Sequence, residues 1–242
     1  SHALLYLGTA IMLAGAIRGW WLYAAPGRVR DLVALGLWLF FVENALFPNQ
    51  HQEYGVLSLD AYNAGKTTAE PQLLDFAAAQ GQSPAMFMLP VPSWVHPTWL
   101  ICAGLLSLVV ARTMVRGRWT ATTIVGVYLL YRAVMWLILV GMGFPTSVLP
   151  FVLLAGAVVV DLCVTYRLPG WLAGLLTTGV VYGVGFAQES VGLLPPWNWW
   201  SALPVAVGFA LLWAAVDLLE HSAWLARWRT ADQPASVSPT AA

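Results

Sequence analysis

Charged residues are scarce in this sequence. Eleven Lys and Arg and eleven Asp and Glu make up 9% of its 242 residues, and the formal net charge is zero. Soluble domains carry about 25% charged residues. Apolar residues account for 60% of the chain, and the mean hydropathy is +0.72. These values predict an integral membrane protein whose partner is the lipid bilayer, and the neutral balance gives no indication of a nucleic-acid partner.

Cysteine and histidine are also scarce, which limits the kinds of site the chain can build. The two cysteines, Cys102 and Cys163, lie in separate apolar runs. Neither a disulfide framework nor a CxxC redox pair is possible from them, and both are expected to pack as small hydrophobic residues. No GxGxxG, P-loop, HExxH or zinc-ligand spacing occurs. The four histidines are His2, His51, His96 and His221.

Long apolar runs dominate the rest of the chain. About 20 mainly apolar residues cross the hydrocarbon core as a helix. Seven segments approach this length, and they predict an all-α bundle of seven transmembrane helices: 3–25, 31–47, 94–115, 119–141, 146–166, 171–188 and 201–224. The first run has neither a basic leader nor a small-residue cleavage site, so we expect it to be a retained helix. The transmembrane domain then spans residues 1–229. Residues 230–242 are small and polar, typical of a disordered cytoplasmic tail.

Basic residues alternate along the predicted connections. Arginines lie in the first, third and fifth connections and after the last helix. In the second, fourth and sixth connections, Lys66 is the only Lys or Arg. Cytoplasmic connections carry an excess of Lys and Arg. The pattern predicts a multi-pass protein of the cell membrane, with its N-terminus outside and its C-terminus in the cytoplasm. The arginines are Arg28, Arg30, Arg112, Arg116, Arg118, Arg167, Arg227 and Arg229.

The second connection, residues 49–93, is unusually long. Loops of this length are usually functional or disordered. Its segment EPQLLDFAAAQG predicts a short helix that stops at Gly81. The apolar residues near Met86 and the motif LPVPSW suggest that the connection rests on the outer membrane face as a lid.

Ionisable residues inside the predicted helices are the main functional candidates. Each costs about 2.5–3.5 kcal/mol at the centre of a membrane helix. Glu43 and Arg132 lie about 18 and 20 Å along the second and fourth helices, so we expect them to be neighbours, either as site residues or as a structural ion pair. Glu189 closes the sixth helix, where it is either a site residue or a carboxylate exposed to solvent at the helix end. Asp161 is expected to approach Arg167 at the cytoplasmic boundary.

Glu43 and Asp217 interrupt apolar helices with no opposite charge one helical turn away. Burial disfavours the ionised form of a carboxyl group, and a protonated carboxyl is what a general acid requires. Trp38, Trp136 and Trp213 lie within predicted helices, away from the interfacial positions that tryptophan prefers. Their rings either pack against neighbours or stabilise a cation in a dry pocket.

Three motifs resemble the integral-membrane terpene cyclases of meroterpenoid and indole-terpenoid biosynthesis. The turn PGRVRD leads to a helix whose motif FFVE contains Glu43 and is soon followed by a proline. QES closes the sixth helix, and VDLLE lies in the last. The resemblance implies a seven-helix enzyme without metal or cofactor. Its acids, Glu43 and Asp217, would protonate an epoxide or alkene of a prenylated substrate and start a cyclisation through carbocations. Arg132 and Glu189 are further catalytic candidates.

Two other classes compete with this interpretation. The stretch FPTSVLPFVLLAGAVVVD resembles part of the membrane A subunit of copper-dependent ammonia and methane monooxygenases. Copper prefers imidazole ligands, and His51 and His96 both lie on the predicted outer side, although an isolated loop histidine is usually only solvated. The third class is a transporter or a structural subunit of a membrane complex. Transporters often contain helices broken by glycine or proline, and residues 141–145 are a candidate break.

Overall fold

The computed structural model describes residues 2–50, 75, 78–81, 93–143, 148–194 and 197–221. The described residues contain helices and no strand, which confirms the all-helical prediction. Seven of the helices have 15 residues or more: α1 (His2–Tyr23), α2 (Arg28–Ala45), α3 (Val95–Met114), α4 (Thr120–Gly141), α5 (Phe151–Thr165), α6 (Gly170–Ser190) and α7 (Ala202–His221). Two short helices, Phe47–Gln50 and the 3₁₀ turn Trp199–Ser201, lie beside α2 and α7.

Within the described part of the chain, five segments are long and apolar enough to cross a membrane. They are Leu4–Tyr23, Val95–Met114, Thr120–Gly141, Gly170–Ser190 and Trp199–Glu220. Large apolar side chains also point outward, among them Leu130 and Leu211, each 66% exposed. Lengths and outward apolar faces of this kind are typical of a membrane protein, because lipid covers apolar surface that water would not.

The other two long helices, α2 and α5, differ from regular spans. Helix α5 has 15 residues, about 22 Å, which is less than the roughly 30 Å of hydrocarbon. Its predicted start at residue 146 was too early. Pro150 is the residue immediately before the helix. The helix does not extend back beyond it, because the proline ring clashes with a preceding helical turn and proline has no N–H to donate. Helix α2 has 18 residues, near the lower end of the range for a spanning helix. It is less apolar than the other long helices, because it includes Arg28, Arg30, Asp31 and Glu43.

Helix α3 lies at the centre of the bundle. Half of its residues (50%) are buried, against 11% for α1, which packs mainly on α2. Its middle section, Leu100–Leu105, is π-helical, and three of its side chains are fully enclosed: Leu100, Ile101 and Leu105. Helix α6 packs between α5 and α7, and α4 packs against α5 and α2.

Glycines allow the closest contacts between helices. A Cβ atom at Gly174 of α6 would lie 2.6 Å from the Cα of Ala210 in α7. At Gly156 of α5 it would lie 2.8 Å from Leu105 and 2.9 Å from Val181. Small residues at such positions let helices approach closely where no hydrophobic effect drives their association.

The helix ends form two distinct ends of the bundle. The basic end contains the turns at residues 24–27, 115–119 and 166–169, and the Trp20 indole donates a hydrogen bond to the Arg30 carbonyl there. The aromatic end contains the C-terminus of α2 and the N-terminus of α3, which the Trp99 indole joins by donating to the Ala45 carbonyl.

The long second connection is described only in part. Residues 75, 78 and 79 are helical, and Gly81 takes φ 66° while its N–H donates to the Ala78 carbonyl. This agrees with the predicted stop at Gly81, because a left-handed glycine commonly ends a helix. Most of the predicted lid at residues 49–93, including His51, lies outside the described residues, as does the tail at 230–242.

Candidate functional site

Glu43 and Arg132 are brought together at the aromatic end. Glu43 is half-buried in the last turn of α2, and Arg132 of α4 is 1% exposed. The two charged groups lie close enough to interact electrostatically, as their similar depths predict. The Arg132 guanidinium also donates to the Tyr128 hydroxyl and to the Val148 carbonyl, each over 2.9 Å. Arg132 therefore joins α4 to the segment that precedes α5, and it interacts electrostatically with Glu43 of α2.

Gln188 continues this set of contacts across the aromatic end. Its side-chain amide donates to the carbonyls of Leu149 and Leu193, each over 2.8 Å. Leu149 follows Val148, so α6 and Arg132 hold the same short segment. The Gln188 Oε1 atom is buried and has no hydrogen-bond partner among the described residues. In the sequence, Gln188 stands out only as part of the QES motif, and no sequence signal marks it as buried.

Glu189, Trp197 and His96 form the next part of the aromatic end. The Trp197 N–H faces the half-buried Glu189 carboxylate at 3.5 Å, and its indole N–H donates to His96 Nδ1 over 3.1 Å. His96 is 2% exposed, and its carbonyl accepts from the Asn49 amide over 2.9 Å. We call Glu43, Asn49, His96, Arg132, Gln188 and Glu189 the polar cluster. It joins α2, α3, α4 and α6 at one end of the bundle.

An aromatic cluster lies beside these polar groups. The Tyr182 ring packs edge-on against Trp197 at 5.2 Å and against Trp199 at 5.9 Å, and the Tyr182 hydroxyl hydrogen-bonds the Ser201 hydroxyl over 2.8 Å. Gly185 makes room for the Trp197 ring, which would lie 2.5 Å from a Cβ there. The cluster consists of His96, Tyr182, Phe186, Trp197 and Trp199.

Asp217 lies at the opposite end. Its Oδ2 atom accepts the N–H of Gly170, the first residue of α6, over 2.7 Å. Gln188, in the polar cluster, lies 18 residues further along α6, or about 27 Å away. Both acids occur near the C-terminal ends of their helices, but α2 and α7 run in opposite directions. The structure therefore brings Glu43, Arg132 and Glu189 to one end and leaves Asp217 at the other.

Asp161 binds a different arginine from the one predicted. Instead of Arg167, its Oδ1 atom contacts the Arg112 Nε at 3.2 Å. The same carboxylate accepts the N–H of Ala121 over 3.2 Å and both the N–H and the hydroxyl of Thr122, over 2.8 and 2.7 Å. A carboxylate is favourable at a helix N-terminus, where N–H groups have no partner within the helix. Asp161 thus joins α3, α4 and α5 structurally.

A cleft of about 680 Å³ lies at the basic end, between the C-terminal part of α1, the start of α2, the end of α3 and the end of α7. Two of the arginines that predict the topology, Arg30 and Arg116, line the cleft. Arg18 and the carboxylates of Asp31 and Glu220 line it as well. Its lining comprises Arg18, Trp21, Leu22, Arg30, Asp31, Thr113, Met114, Arg116, Gly117 and Glu220.

The described residues do not assemble a copper site. They contain no group of three or more His, Cys, Asp or Glu side chains placed to hold one metal ion. His96 Nδ1 already accepts the Trp197 indole N–H. The predicted break at residues 141–145 includes the end of α4, where Gly141 is the last helical residue and Gly143 takes φ 86°.

Comparisons with protein-family models, with curated proteins and with solved structures found no match. The resemblance to terpene cyclases therefore depends on the sequence motifs alone.

Proposed function

We propose that the chain is a multi-pass enzyme of the cell membrane that starts the cyclisation of a prenylated substrate by protonating its epoxide or alkene, as integral-membrane terpene cyclases do. Glu43 is the proton donor. The observation that carries this proposal is the half-buried Glu43 carboxyl beside the buried Arg132 guanidinium, at the end of the bundle where aromatic rings collect. No metal or cofactor takes part in the proposed reaction.

Arg132 has a defined part in this chemistry. When Glu43 gives its proton to the substrate, a carboxylate remains in a poorly hydrated environment. The guanidinium stabilises that carboxylate electrostatically, and the effect is larger in a low dielectric than in water. Because Arg132 is itself held by Tyr128 and Val148, it needs little reorganisation when the charge on Glu43 changes.

The aromatic cluster and Glu189 serve the later steps. Aromatic faces attract cations, and the rings of Tyr182, Trp197 and Trp199 lie at the same end as Glu43. Glu189 is half-buried there, and in the proposal it accepts the proton that the final carbocation loses. One proton leaves Glu43 and one returns to the protein, so the reaction is an isomerisation. Asp217 serves as the cap of α6.

We also propose that the bundle crosses the membrane seven times, with the basic end in the cytoplasm. The positive-inside rule supports this orientation, since Arg30, Arg116 and Arg167 all occur at the basic end. The aromatic end then faces outward, together with the connection at 49–93. A short α5 is compatible with seven crossings, because protein-lined backbone at membrane depth is tolerated where lipid does not contact it.

Replacing Glu43 with Gln tests the proposed donor. The amide keeps the size of the side chain but has no proton to transfer. Activity on an epoxy-prenyl substrate should fall by about 10²–10⁴, the contribution of one general acid. The matched control is Asp217→Asn, which removes a carboxylate at the other end and should retain activity within a few-fold. A folded Glu43→Gln protein with wild-type turnover would exclude Glu43 as the donor.

Transport is the second candidate function, and one observation favours it. The π-helical section Leu100–Leu105 interrupts α3, the most enclosed helix. Such sections occur frequently at functional sites, and transporters build substrate sites from irregular helices. Proteoliposomes that accumulate a solute without converting it would favour transport over cyclisation.

A further inference from the structure

The cleft at the basic end has the shape and composition of a ligand site. Its volume of about 680 Å³ falls within the range of about 300–1,000 Å³ typical of small-molecule pockets. Guanidinium groups come from three separate elements: Arg18 from α1, Arg30 from α2 and Arg116 from the turn after α3. Residues distant in sequence therefore contribute like charges to one concave surface.

Arg30 is held in position within this cleft. Its guanidinium lies 4.1 Å from the centre of the Trp21 ring, a stacked arrangement that stabilises the cation and restricts its motion. The Trp20 indole fixes the Arg30 backbone through its carbonyl over 2.9 Å. The side chain is 19% exposed and contacts the Asp31 carboxylate at 3.7 Å, but its Nε atom has no hydrogen-bond partner among the described residues.

The charge balance of the cleft favours an anion. Three guanidiniums line it against the carboxylates of Asp31 and Glu220. Guanidinium is the side-chain group best suited to phosphate oxygens, because its planar donors match them in pairs. Leu22, Trp21 and Met114 line the cleft beside the charges, so the surface is amphipathic and suits a ligand with both a phosphate and an apolar part.

We propose that this cleft is a phosphate-binding site and that its ligand in the membrane is the headgroup of an anionic phospholipid. Basic pockets between helices on the cytoplasmic side are suited to such headgroups, and the cleft lies where the basic turns meet. The inference is independent of the proposed cyclase chemistry, since Glu43 and the aromatic cluster lie at the other end of the bundle. A lipid seated there joins α1, which otherwise packs mainly on α2, to α3 and α7.

The test uses the full chain in mixed micelles of a neutral detergent. Native mass spectrometry measures binding of dioleoylphosphatidylglycerol, with dioleoylphosphatidylcholine as the zwitterionic comparison. We expect preferential binding of phosphatidylglycerol, and a thermal midpoint that rises with its concentration, as for any ligand of the folded state. Arg30→Gln and Arg116→Gln should each weaken this binding about tenfold, the effect of losing one charge-assisted contact.

Arg118→Gln is the matched control. Arg118 is two residues from Arg116 in the same turn, but it does not line the cleft and its guanidinium lies near the Trp119 ring. Its replacement removes the same charge and should leave binding unchanged. Because Arg116 is exposed in a turn, Arg116→Gln should fold even if loss of the stack on Trp21 impairs Arg30→Gln. Equal phosphatidylglycerol binding by Arg116→Gln, Arg118→Gln and the unmodified chain would overturn the proposal.

Inorganic pyrophosphate distinguishes a lipid from a soluble phosphate. If it displaces phosphatidylglycerol only at millimolar concentration, the site recognises phosphate but requires the apolar part of a lipid for affinity, as proposed. If pyrophosphate binds at micromolar concentration and phosphatidylglycerol does not bind, the lipid assignment is wrong.

Discussion

Two carboxylates within apolar helices accept hydrogen bonds from the N-termini of neighbouring helices. Asp161 accepts the first N–H groups of α4, and Asp217 accepts the first N–H of α6. The first turn of every helix has N–H groups without intrahelical partners, and leaving them unpaired in an apolar environment is costly. An acid within an apolar helix can therefore cap another helix rather than act on a substrate. Glu43 lies at the opposite, aromatic end of the bundle from both, where it interacts electrostatically with the Arg132 side chain.

Asp161→Asn should strongly destabilise the chain. Asp161 is 0% exposed and Arg112 is 9% exposed, so the variant leaves a guanidinium buried without its counter-charge. Removing one member of a buried pair costs about 3–5 kcal/mol. The free energy of unfolding in detergent measures the loss. Asp31→Asn is the control: its side chain is 48% exposed and the change should cost less than about 1 kcal/mol. Equal losses would contradict the structural role of Asp161.

Comparing Asp217→Ala with Asp217→Asn tests whether Asp217 acts as a helix cap or as a catalytic acid. Asparagine keeps an oxygen that can accept the Gly170 N–H, whereas alanine does not. Loss of a cap costs about 0.5–2 kcal/mol, so we expect Asp217→Ala to lower the thermal midpoint and Asp217→Asn to remain close to the unmodified chain. A stable Asp217→Asn protein without activity would restore Asp217 as a second acid.

At the scale of elements, α6 and α7 depend on small residues for their contact. Gly174 lies against the Ala210 backbone, where the nearest atom to an added Cβ would be 2.6 Å away. Backbone cannot move aside as a flexible side chain can. The contact therefore sets the distance between the two helices that connect the basic end with the aromatic cluster.

Gly174→Val should force α6 and α7 apart, because the added side chain meets the Ala210 backbone. The free energy of unfolding should fall by about 1–3 kcal/mol, the usual cost of overpacking. Gly179→Val is the matched control: it makes the same change on the same helix, where an added Cβ meets nothing within 4 Å. The change in helix propensity is common to both variants, so the difference between their free energies of unfolding isolates the contact. Equal destabilisation would show that the α6–α7 contact is not limiting.

At the scale of the whole molecule, the positions of the basic turns make the orientation testable. Single cysteines replace Lys66 and Arg116 in a chain whose own Cys102 and Cys163 have been removed, and a membrane-impermeant thiol reagent is added to intact cells. The reagent should label the cysteine at position 66 and not the one at position 116, because basic turns stay in the cytoplasm. Labelling both from the same side would exclude the proposed topology.

The apolar pattern of the sequence predicted the all-helical class and the approximate position of each long helix, because an apolar segment in lipid must satisfy its own backbone hydrogen bonds. It also predicted that Glu43 and Arg132 would be neighbours, since depth along a helix follows from residue number. The start of α5 was predicted too early, because an apolar run continues through Pro150 and composition alone does not register the break.

Which acids lie at the same end of the bundle depends on how the helices pack. Glu43 and Asp217 look equivalent in sequence, but opposite helix directions place them at opposite ends, and the Gly170 N–H gives Asp217 a capping role. The same packing pairs Asp161 with Arg112 rather than with Arg167, which is closer in the sequence. It also brings Arg18, Arg30 and Arg116 together around one cleft. These contacts join residues far apart in the chain, and they depend on helix orientation and rotation, which residue composition does not encode locally.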